Sequence, residues 1–184
     1  MKTAQKTYTW KEAFNDAYTT AKAGSPRSQT FVAYCYQIGR GVSKDAKLAR
    51  SWYAKAAGQG YLDAIFSLAV MNDKGYGGKR DAPVAAGLYQ EAALRGDLQA
   101  QANLAVMLLD GDGVERDAAA GIRWLRKAAK RGDPTAQYNL GRAYLDGEYV
   151  GKNLLHARTW VSKAAAGGHS KAEALLKTSL GAEA

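Results

Sequence analysis

The sequence contains few of the residues that cross-link a chain or bind metals. Its 184 residues include one cysteine and two histidines. A single cysteine, Cys35, allows no disulfide within the chain, which excludes a small disulfide-stapled scaffold. The two histidines, His156 and His169, do not have the short spacing of a metal-binding pair. We therefore expect no bound metal and no structural disulfide.

Long apolar runs are also missing. Hydrophobic residues make up 47% of the chain. No stretch approaches the roughly eighteen consecutive apolar residues that a membrane helix needs. The opening segment, MKTAQKTYTWKEAF, lacks the apolar centre of a signal peptide. The sequence as given therefore predicts a cytoplasmic protein, and export stays open for a chain whose leader has been removed.

No arrangement of side chains points to catalysis. We find no nucleophile beside a base and no paired carboxylates at a useful spacing. The segment GYGGKRD at residues 75–81 has the glycines of a phosphate loop. It lacks the preceding strand and the Gly-Lys-(Ser/Thr) ending of such loops. We predict that the protein is not an enzyme, binds no cofactor and has no small-molecule substrate.

Glycine, by contrast, is abundant and regularly placed. Five of the 20 glycines lie 36 residues apart, at positions 24, 60, 96, 132 and 168. The four segments that they begin align without a gap, at residues 24–59, 60–95, 96–131 and 132–167. A period of this length is typical of stacked helical or mixed units, none of which can bury its apolar face alone.

One loop of the repeat looks like a calcium-binding loop. The segment LLDGDGVERDAAAG at residues 108–121 contains Asp110, Asp112, Glu115 and Asp117 around Gly111 and Gly113. Two of the three other repeats replace Asp110 and Asp112 with uncharged or basic residues, but they keep the glycines. Glycine that persists without the ligands indicates a backbone with positive φ. We interpret the segment as a turn between two helices.

Each repeat has the pattern of two helices. The first starts just after the unit glycine and ends at the loop glycine. The second starts at a residue type that caps helices: Asp45, Asp81, Asp117 or Asn153. Partial copies at residues 8–23 and 168–180 supply a capping helix at each end. The sequence predicts one all-α domain over residues 1–184, a right-handed α-α superhelical solenoid of four helix pairs with a half-repeat at each end.

The core is predicted from positions that stay large or small in every repeat. The second helices share a large residue before an alanine pair: Trp52, Leu88, Trp124 and Trp160. This pattern indicates helices that approach closely while the large residue fills the remaining space. Cys35 stands where later repeats have Met71 and Met107, so we expect it to be a buried core residue.

The repeats share a consensus that resembles a known family. It runs A-x-x-x-L-(G/A), then Gly-x-Gly-Val, an Asp, a Trp and K-A-A, and it is clearest at residues 96–131 and 132–167. This pattern resembles the Sel1-like repeat, a subclass of the tetratricopeptide-like helical repeats. Ser28 and Gly78 are local departures within residues 24–180. The resemblance implies a non-enzymatic adaptor that binds other proteins, such as a bacterial regulator or a neutralising, immunity-type partner of another protein.

The net charge of +9 is unevenly distributed, because both ends are basic and the middle is mildly acidic. In the third repeat, four cations form one stripe on the second helix: Arg123, Arg126, Lys127 and Lys130. Nucleic-acid binding would need aromatics beside this stripe that stack on bases, and the large aromatics occupy core positions. We interpret the stripe as a solvated outer face. The alternative function is a basic surface that recruits a membrane surface or nucleic acid.

First-helix positions that vary between repeats form the predicted binding surface. They flank the core positions, so they should line the concave inner groove, as in similar helical repeats. Aromatic and arginine side chains are those that dominate protein interfaces. The predicted partner-binding residues are Phe31, Tyr34, Phe66, Asn103, Tyr138, Asn139, Arg142 and Lys171.

Three of these residues suggest a narrower hypothesis. In some tetratricopeptide domains, asparagines on successive first helices and a flanking lysine grip the terminal carboxylate of a peptide. Asn103, Asn139 and Lys171 stand in matching register, but Gln99 and Leu175 replace further basic partners. We expect the partner to be another protein or peptide, bound by a monomer.

Overall fold

The structure, a computed structural model, describes residues 8–178 and 180. Regular structure in these residues consists of ten α-helices and no strands. The helices are α1 Trp10–Lys22, α2 Pro26–Ile38, α3 Ala46–Ala57, α4 Leu62–Lys74, α5 Ala82–Leu94, α6 Leu98–Asp110, α7 Ala118–Lys130, α8 Pro134–Asp146, α9 Leu154–Ala166 and α10 Ser170–Thr178. Four helix pairs lie between two single helices, which confirms the predicted fold class. No helix in this part of the chain is long and apolar enough to cross a membrane.

The helices group into two compact units. Unit 1 comprises the described residues up to Leu88 and unit 2 those from Tyr89 onward, so the boundary falls inside α5. In unit 1, α1 packs on α2, α2 on α3 and α3 on α4. In unit 2, α6 to α10 do the same, and the two first helices α6 and α8 also touch. Local packing of this kind is typical of stacked helix pairs.

The helices start where the sequence predicts. Each second helix begins after a capping side chain that accepts a hydrogen bond from the backbone N–H three residues later, at 2.8 to 3.1 Å. The four capping residues are Asp45, Asp81, Asp117 and Asn153. Helix α1 begins with a reciprocal pair, in which Thr9 accepts from the Glu12 backbone and Glu12 accepts from the Thr9 backbone.

The loop that resembles a calcium site is a turn. Gly111 ends α6 in the left-handed conformation, with φ of 73°, and its N–H donates to the Met107 carbonyl. Asp117 caps α7, and Arg116 Nε donates to the Leu109 carbonyl at 2.8 Å. Arg116 therefore binds the last turn of α6, and Asp117 caps the start of α7. In the described residues, no group of three or more His, Cys, Asp and Glu side chains could hold a metal ion.

The cores are built from alanines and a few large residues. In unit 1 they include Cys35, which is fully buried as predicted, and Trp52, which is 8% exposed. In unit 2, Trp124 and Trp160 are only half-buried. The Nζ atoms of Lys127 and Lys163 lie 4.8 and 4.7 Å from their ring centroids. These two tryptophans therefore pack one part of the ring on the core and present the rest to a cation.

The Gly78 departure makes room for an arginine. A side chain at this position would collide with the Arg50 guanidinium from α3. Arg50 donates to the Lys79 carbonyl at 3.3 Å and to the side-chain oxygen of Asn72. The other three repeats have valine here, at positions 42, 114 and 150, so the second repeat has a hydrogen-bonded arginine in place of an apolar side chain.

A buried glutamine links successive helix pairs, which the sequence pattern did not predict. Its side-chain Nε2 donates to a carbonyl in the last turn of the preceding second helix, at 3.0 to 3.1 Å. These glutamines are Gln29, Gln101 and Gln137. Ile65 holds the equivalent place in the second repeat. The same carbonyls also accept from a glycine N–H, so they remain satisfied where the glutamine is absent.

Replacing Gln101 with isoleucine is expected to leave stability unchanged or to raise it by up to about 1 kcal/mol. The Oε1 atom of Gln101 is buried without a hydrogen-bond partner, and the substitution removes that atom. Gln29→Ile is the matched comparison. Gln29 Oε1 accepts from Gln59 at 2.8 Å, so its loss should lower stability by about 1 kcal/mol. Urea unfolding measures both, and equal effects would contradict the role given to the unpaired oxygen.

Candidate functional site

The predicted binding residues of unit 1 lie on α2 and α4. Tyr34 is 42% exposed. Phe31 is half-buried and stacks on Trp10 of α1, with ring centroids 6.2 Å apart and planes 5° apart. Phe66 is half-buried. Tyr34 is therefore the predicted aromatic of this unit with the most surface available to a partner, whereas Phe31 packs mainly on the capping helix.

The predicted residues of unit 2 are distributed over α6, α8 and α10. Tyr138 stacks on His169 at 4.4 Å, which ties α8 to the start of α10. Asn103 is half-buried and Lys171 is exposed. Arg142 is exposed and pairs with Asp146 one turn later on α8, at 2.9 Å. Tyr138 and Arg142 lie one turn apart on α8 and interact with each other.

A cleft at the ends of α6 and α8 brings two of them together. Its volume is about 210 Å³. Asn139 and Arg142 line it, and so does Val106 on α6. The remaining lining residues come from the last turns of the two helices and from the loop after α8: Leu109, Asp110, Ala143, Asp146, Glu148 and Tyr149. We name this site the acidic cleft.

The lining side chains of the acidic cleft have a net negative charge, and Arg116 lies beside the cleft over the Tyr149 ring at 5.7 Å. Three carboxylates line it, and only Arg142 among its lining residues is cationic. The hydrogen bond to Asp146 raises the pKa of Arg142, so one carboxylate is already paired. Two helix carbonyl ends add further negative charge. Burial raises the pKa of Tyr149, and a hydrogen bond to Glu148 adds to the rise, so Tyr149 keeps its phenolic proton.

This charge argues against the carboxylate grip suggested by the sequence. Asn139 shares its cleft with the carboxylates of Asp110, Asp146 and Glu148. A peptide carboxylate placed there would be repelled by the unpaired acids. Lys171, the proposed flanking cation, is not among the lining residues. The acidic cleft is suited instead to a neutral or basic side chain.

Unit 1 has a cleft at the equivalent place, with a different chemistry. It measures about 510 Å³ and lies at the ends of α2 and α4. Ile38 and Tyr76 take the positions that Asp110 and Glu148 hold two repeats later. Both side chains are exposed, by 38% and 52%. The other lining residues are Gln37, Lys44, Ala46, Met71, Gly75 and Gly77. We name this site the apolar cleft.

The residues at the mouths of both clefts are missing from the sequence prediction, which considered only the middle of the first helices. A usable signal is present in the loops. The first loop glycine is constant, at positions 39, 75, 111 and 147, while the residues beside it change from isoleucine to aspartate and from tyrosine to glutamate. The second loop glycine is replaced by Tyr149 in the fourth repeat. Residues that vary on either side of a constant glycine are not required by the turn itself. These are the residues that border the clefts.

The helix pairs, their caps and the loop glycines are matched by one family model. The Sel1 repeat model fits four segments, at residues 26–61, 62–97, 98–133 and 134–169. The protein belongs to the Sel1 repeat family. The matched segments have the same 36-residue length as the units read from the sequence and start two residues later. Proteins built from Sel1 repeats are generally protein-interaction modules, and this family indicates no enzymatic activity.

Two solved bacterial structures are similar to this Sel1 repeat chain. One is a protective antigen with an SLR fold from uropathogenic Escherichia coli, with 36% identity, a TM-score of 0.79, and coverage of 86% of this chain and 34% of that one. The other is a Sel1 repeat protein from Oxalobacter formigenes, with 29% identity, a TM-score of 0.80, and coverage of 89% and 65%. The chain therefore spans about a third of the first relative and less than two thirds of the second.

A curated relative matches a shorter stretch. The chitin synthase regulator SKT5 of Saccharomyces cerevisiae is 43% identical over 47 residues, which are 26% of this chain and 7% of the yeast protein. A match of this length amounts to little more than one repeat. It places the repeat in a regulatory protein but gives no partner for this chain.

Proposed function

We propose that this Sel1 repeat chain is a non-enzymatic protein-interaction module that recognises its partner through the clefts at the ends of its first helices. The observation that supports this most is the pair of equivalent clefts, one in each unit, with different linings. Both clefts lie beside a turn with a left-handed glycine, Gly75 or Gly147, with φ of 70° and 75°, and the side chains around that turn set the chemistry. This is how a repeat scaffold acquires specificity without changing its fold.

The two clefts select different features of a partner. The apolar cleft offers Ile38 and Tyr76, which suit an apolar or aromatic side chain. The acidic cleft offers unpaired carboxylates over a floor that includes Val106 and Leu109. That combination suits a lysine or arginine, whose aliphatic stem packs on the floor while its charge meets the rim. The partner is therefore a protein that presents an apolar side chain to the first cleft or a basic side chain to the second.

The finer role follows from this selectivity. A scaffold that holds one partner in a fixed ratio can regulate or neutralise it, as an immunity protein or a regulatory subunit does. The predicted first-helix residues would extend the contact along the same helices. Among them, Tyr34 has the most exposed ring in unit 1, and Arg142 lines the acidic cleft.

Affinity capture from the native cell, followed by measurement of the mass of the purified complex, tests the proposal. A single protein in a fixed ratio is expected. Replacing Tyr76 with alanine, or Asp110 and Glu148 with Asn and Gln, should weaken binding at least about tenfold, as loss of an interface anchor does. Isothermal titration with the purified partner gives the affinities.

A matched variant controls for charge. Asp16→Asn/Glu173→Gln removes the same two negative charges from exposed positions outside both clefts, and it should bind like the wild type. Tyr34→Ala tests the first-helix prediction separately. Equal weakening by the cleft and control variants would show that net charge, and not the cleft, determines binding.

A further inference from the structure

The outer face of α7 is made entirely of cations and small residues. Arg123, Arg126, Lys127 and Lys130 are all exposed. The opposite face packs into unit 2 through Ile122, Leu125, Ala128 and Ala129, all buried. Helix α7 contains no acidic residue. It is therefore sharply divided into an apolar face and a positive one.

These cations have no carboxylate partner among the described residues. Arg126 donates to the phenolic oxygen of Tyr144 at 3.3 Å, and Lys127 lies over the Trp124 ring. Arg123 and Lys127 are four residues apart, as are Arg126 and Lys130, and like charges at this spacing repel each other. An external anion would relieve that repulsion. The sequence interpretation of a merely solvated face does not account for a helix that is cationic without counter-charges.

Helix α9 is connected to the cations of α7 through Tyr144 of α8. Tyr144 lies between the two helices, because it accepts from Arg126 and packs edge-on against His156 at 5.0 Å. Helix α9 has no acidic residue either. Its first two residues, Leu154 and Leu155, are 48% and 74% exposed. The exposed apolar pair therefore directly precedes His156, the residue that meets Tyr144 and through it Arg126.

We infer that the α7–α9 face attaches the protein reversibly to an anionic lipid surface. Four cations meet the acidic headgroups, and the leucine pair reaches the boundary between headgroups and acyl chains. The leucines distinguish this partner from nucleic acid, which offers them no apolar layer. The tryptophan rings next to the cations are half-buried and covered by Lys127 and Lys163, so they are not free to stack on bases.

The contribution of each cation and each leucine to membrane partitioning can be estimated separately. A cation near an anionic membrane surface contributes enough to raise the partition coefficient about fivefold. Removing two should therefore lower partitioning about 25-fold. Exposed leucine contributes through burial of its apolar surface, so losing one should lower partitioning about threefold or more. Cations and leucines act together, which makes attachment reversible and sensitive to salt.

The experiment is vesicle sedimentation with the full chain. Wild-type protein is mixed with vesicles of phosphatidylcholine alone or of phosphatidylcholine with phosphatidylserine. Binding only to the second kind is expected, with about 25-fold loss for Arg123→Gln/Lys127→Gln and a smaller loss for Leu155→Ser. The control Lys79→Gln/Lys177→Gln removes the same charge from exposed positions outside α7 and α9 and should bind like the wild type. Circular dichroism confirms that each variant is folded.

Three results would overturn the inference. They are absence of wild-type binding to the anionic vesicles, equal loss in the α7 and control variants, and full binding by the leucine variant. Binding of a single-stranded or duplex oligonucleotide without vesicle binding would assign the face to nucleic acid instead. None of these outcomes bears on the clefts, because the cleft variants leave α7 and α9 unchanged and are tested against a protein partner.

Discussion

Replacing Gly77 with alanine is expected to lower the free energy of unfolding by about 4 kcal/mol, the sum of backbone strain and overpacking. Gly77 has a φ of 73°, a conformation that alanine adopts only with strain. A Cβ atom there would also collide with the carbonyl oxygen of Ala46, the first residue of α3. Backbone meets backbone at this point, so no side-chain rotation can relieve the collision.

Gly87→Ala is the matched control for that substitution. Gly87 lies inside α5, and a Cβ atom there meets nothing within 4 Å. Alanine should therefore stabilise the helix by roughly 0.5 to 1 kcal/mol. Circular dichroism during urea and thermal unfolding measures both changes. For Gly77→Ala we expect the melting temperature to fall by roughly 10 °C. Similar behaviour of the two variants would contradict the close approach at Gly77.

The second large effect is expected in unit 2, where Gly141→Val should cost about 3 kcal/mol. Gly141 is on α8, and a Cβ atom there would lie 2.6 Å from Val161 Cγ2 and 3.2 Å from the Ala157 carbonyl oxygen. The absence of a side chain lets α8 and α9 approach closely. A valine would force the two helices apart over the core between them.

A double-mutant cycle tests this explanation. In a Val161→Ala background the nearest obstruction is gone, so Gly141→Val should cost at least about 1 kcal/mol less than in the wild type. Gly151→Val serves as the control, because its Cβ atom would meet nothing within 4 Å, and its effect should stay within about 0.5 kcal/mol. Additive losses in the cycle would show that Gly141 does not act through Val161.

Much of the fold can be predicted from the sequence because the repeat supplies four aligned versions of each helix pair. Helix caps such as Asp117 can be predicted because the same residue type recurs at the same position of each repeat. The turn at Gly111 can be predicted because the glycine recurs in every repeat and the acidic residues beside it do not. The packing of Trp124 and Trp160 is less accessible. Each second-helix tryptophan has a lysine over its ring, including the buried Trp52. How far the ring is enclosed depends on the neighbouring helix, which periodicity does not describe.

The candidate site is harder to predict for the same reason. The middle of a first helix is easy to align, and Asn139 and Arg142 were found that way. The cleft they line is completed by Glu148 and Tyr149 from a loop, and only the folded backbone brings that loop beside the helix ends. Charge is another obstacle. The sequence predicts Arg142 as a partner-binding residue and does not show its ion pair with Asp146, which neutralises its charge in the structure.

The contact at Gly77 also limits how the chain can change in length. Gly41 makes the same approach to the carbonyl oxygen of Trp10, the first residue of α1, so each of these loops rests on the start of the preceding second helix. An insertion or deletion of a few residues within a repeat would move the loop glycine away from that contact. Gain or loss of a complete 36-residue unit would bring the next loop glycine to the same place. The geometry therefore favours evolution of this chain by whole repeats, with the clefts added or removed one at a time.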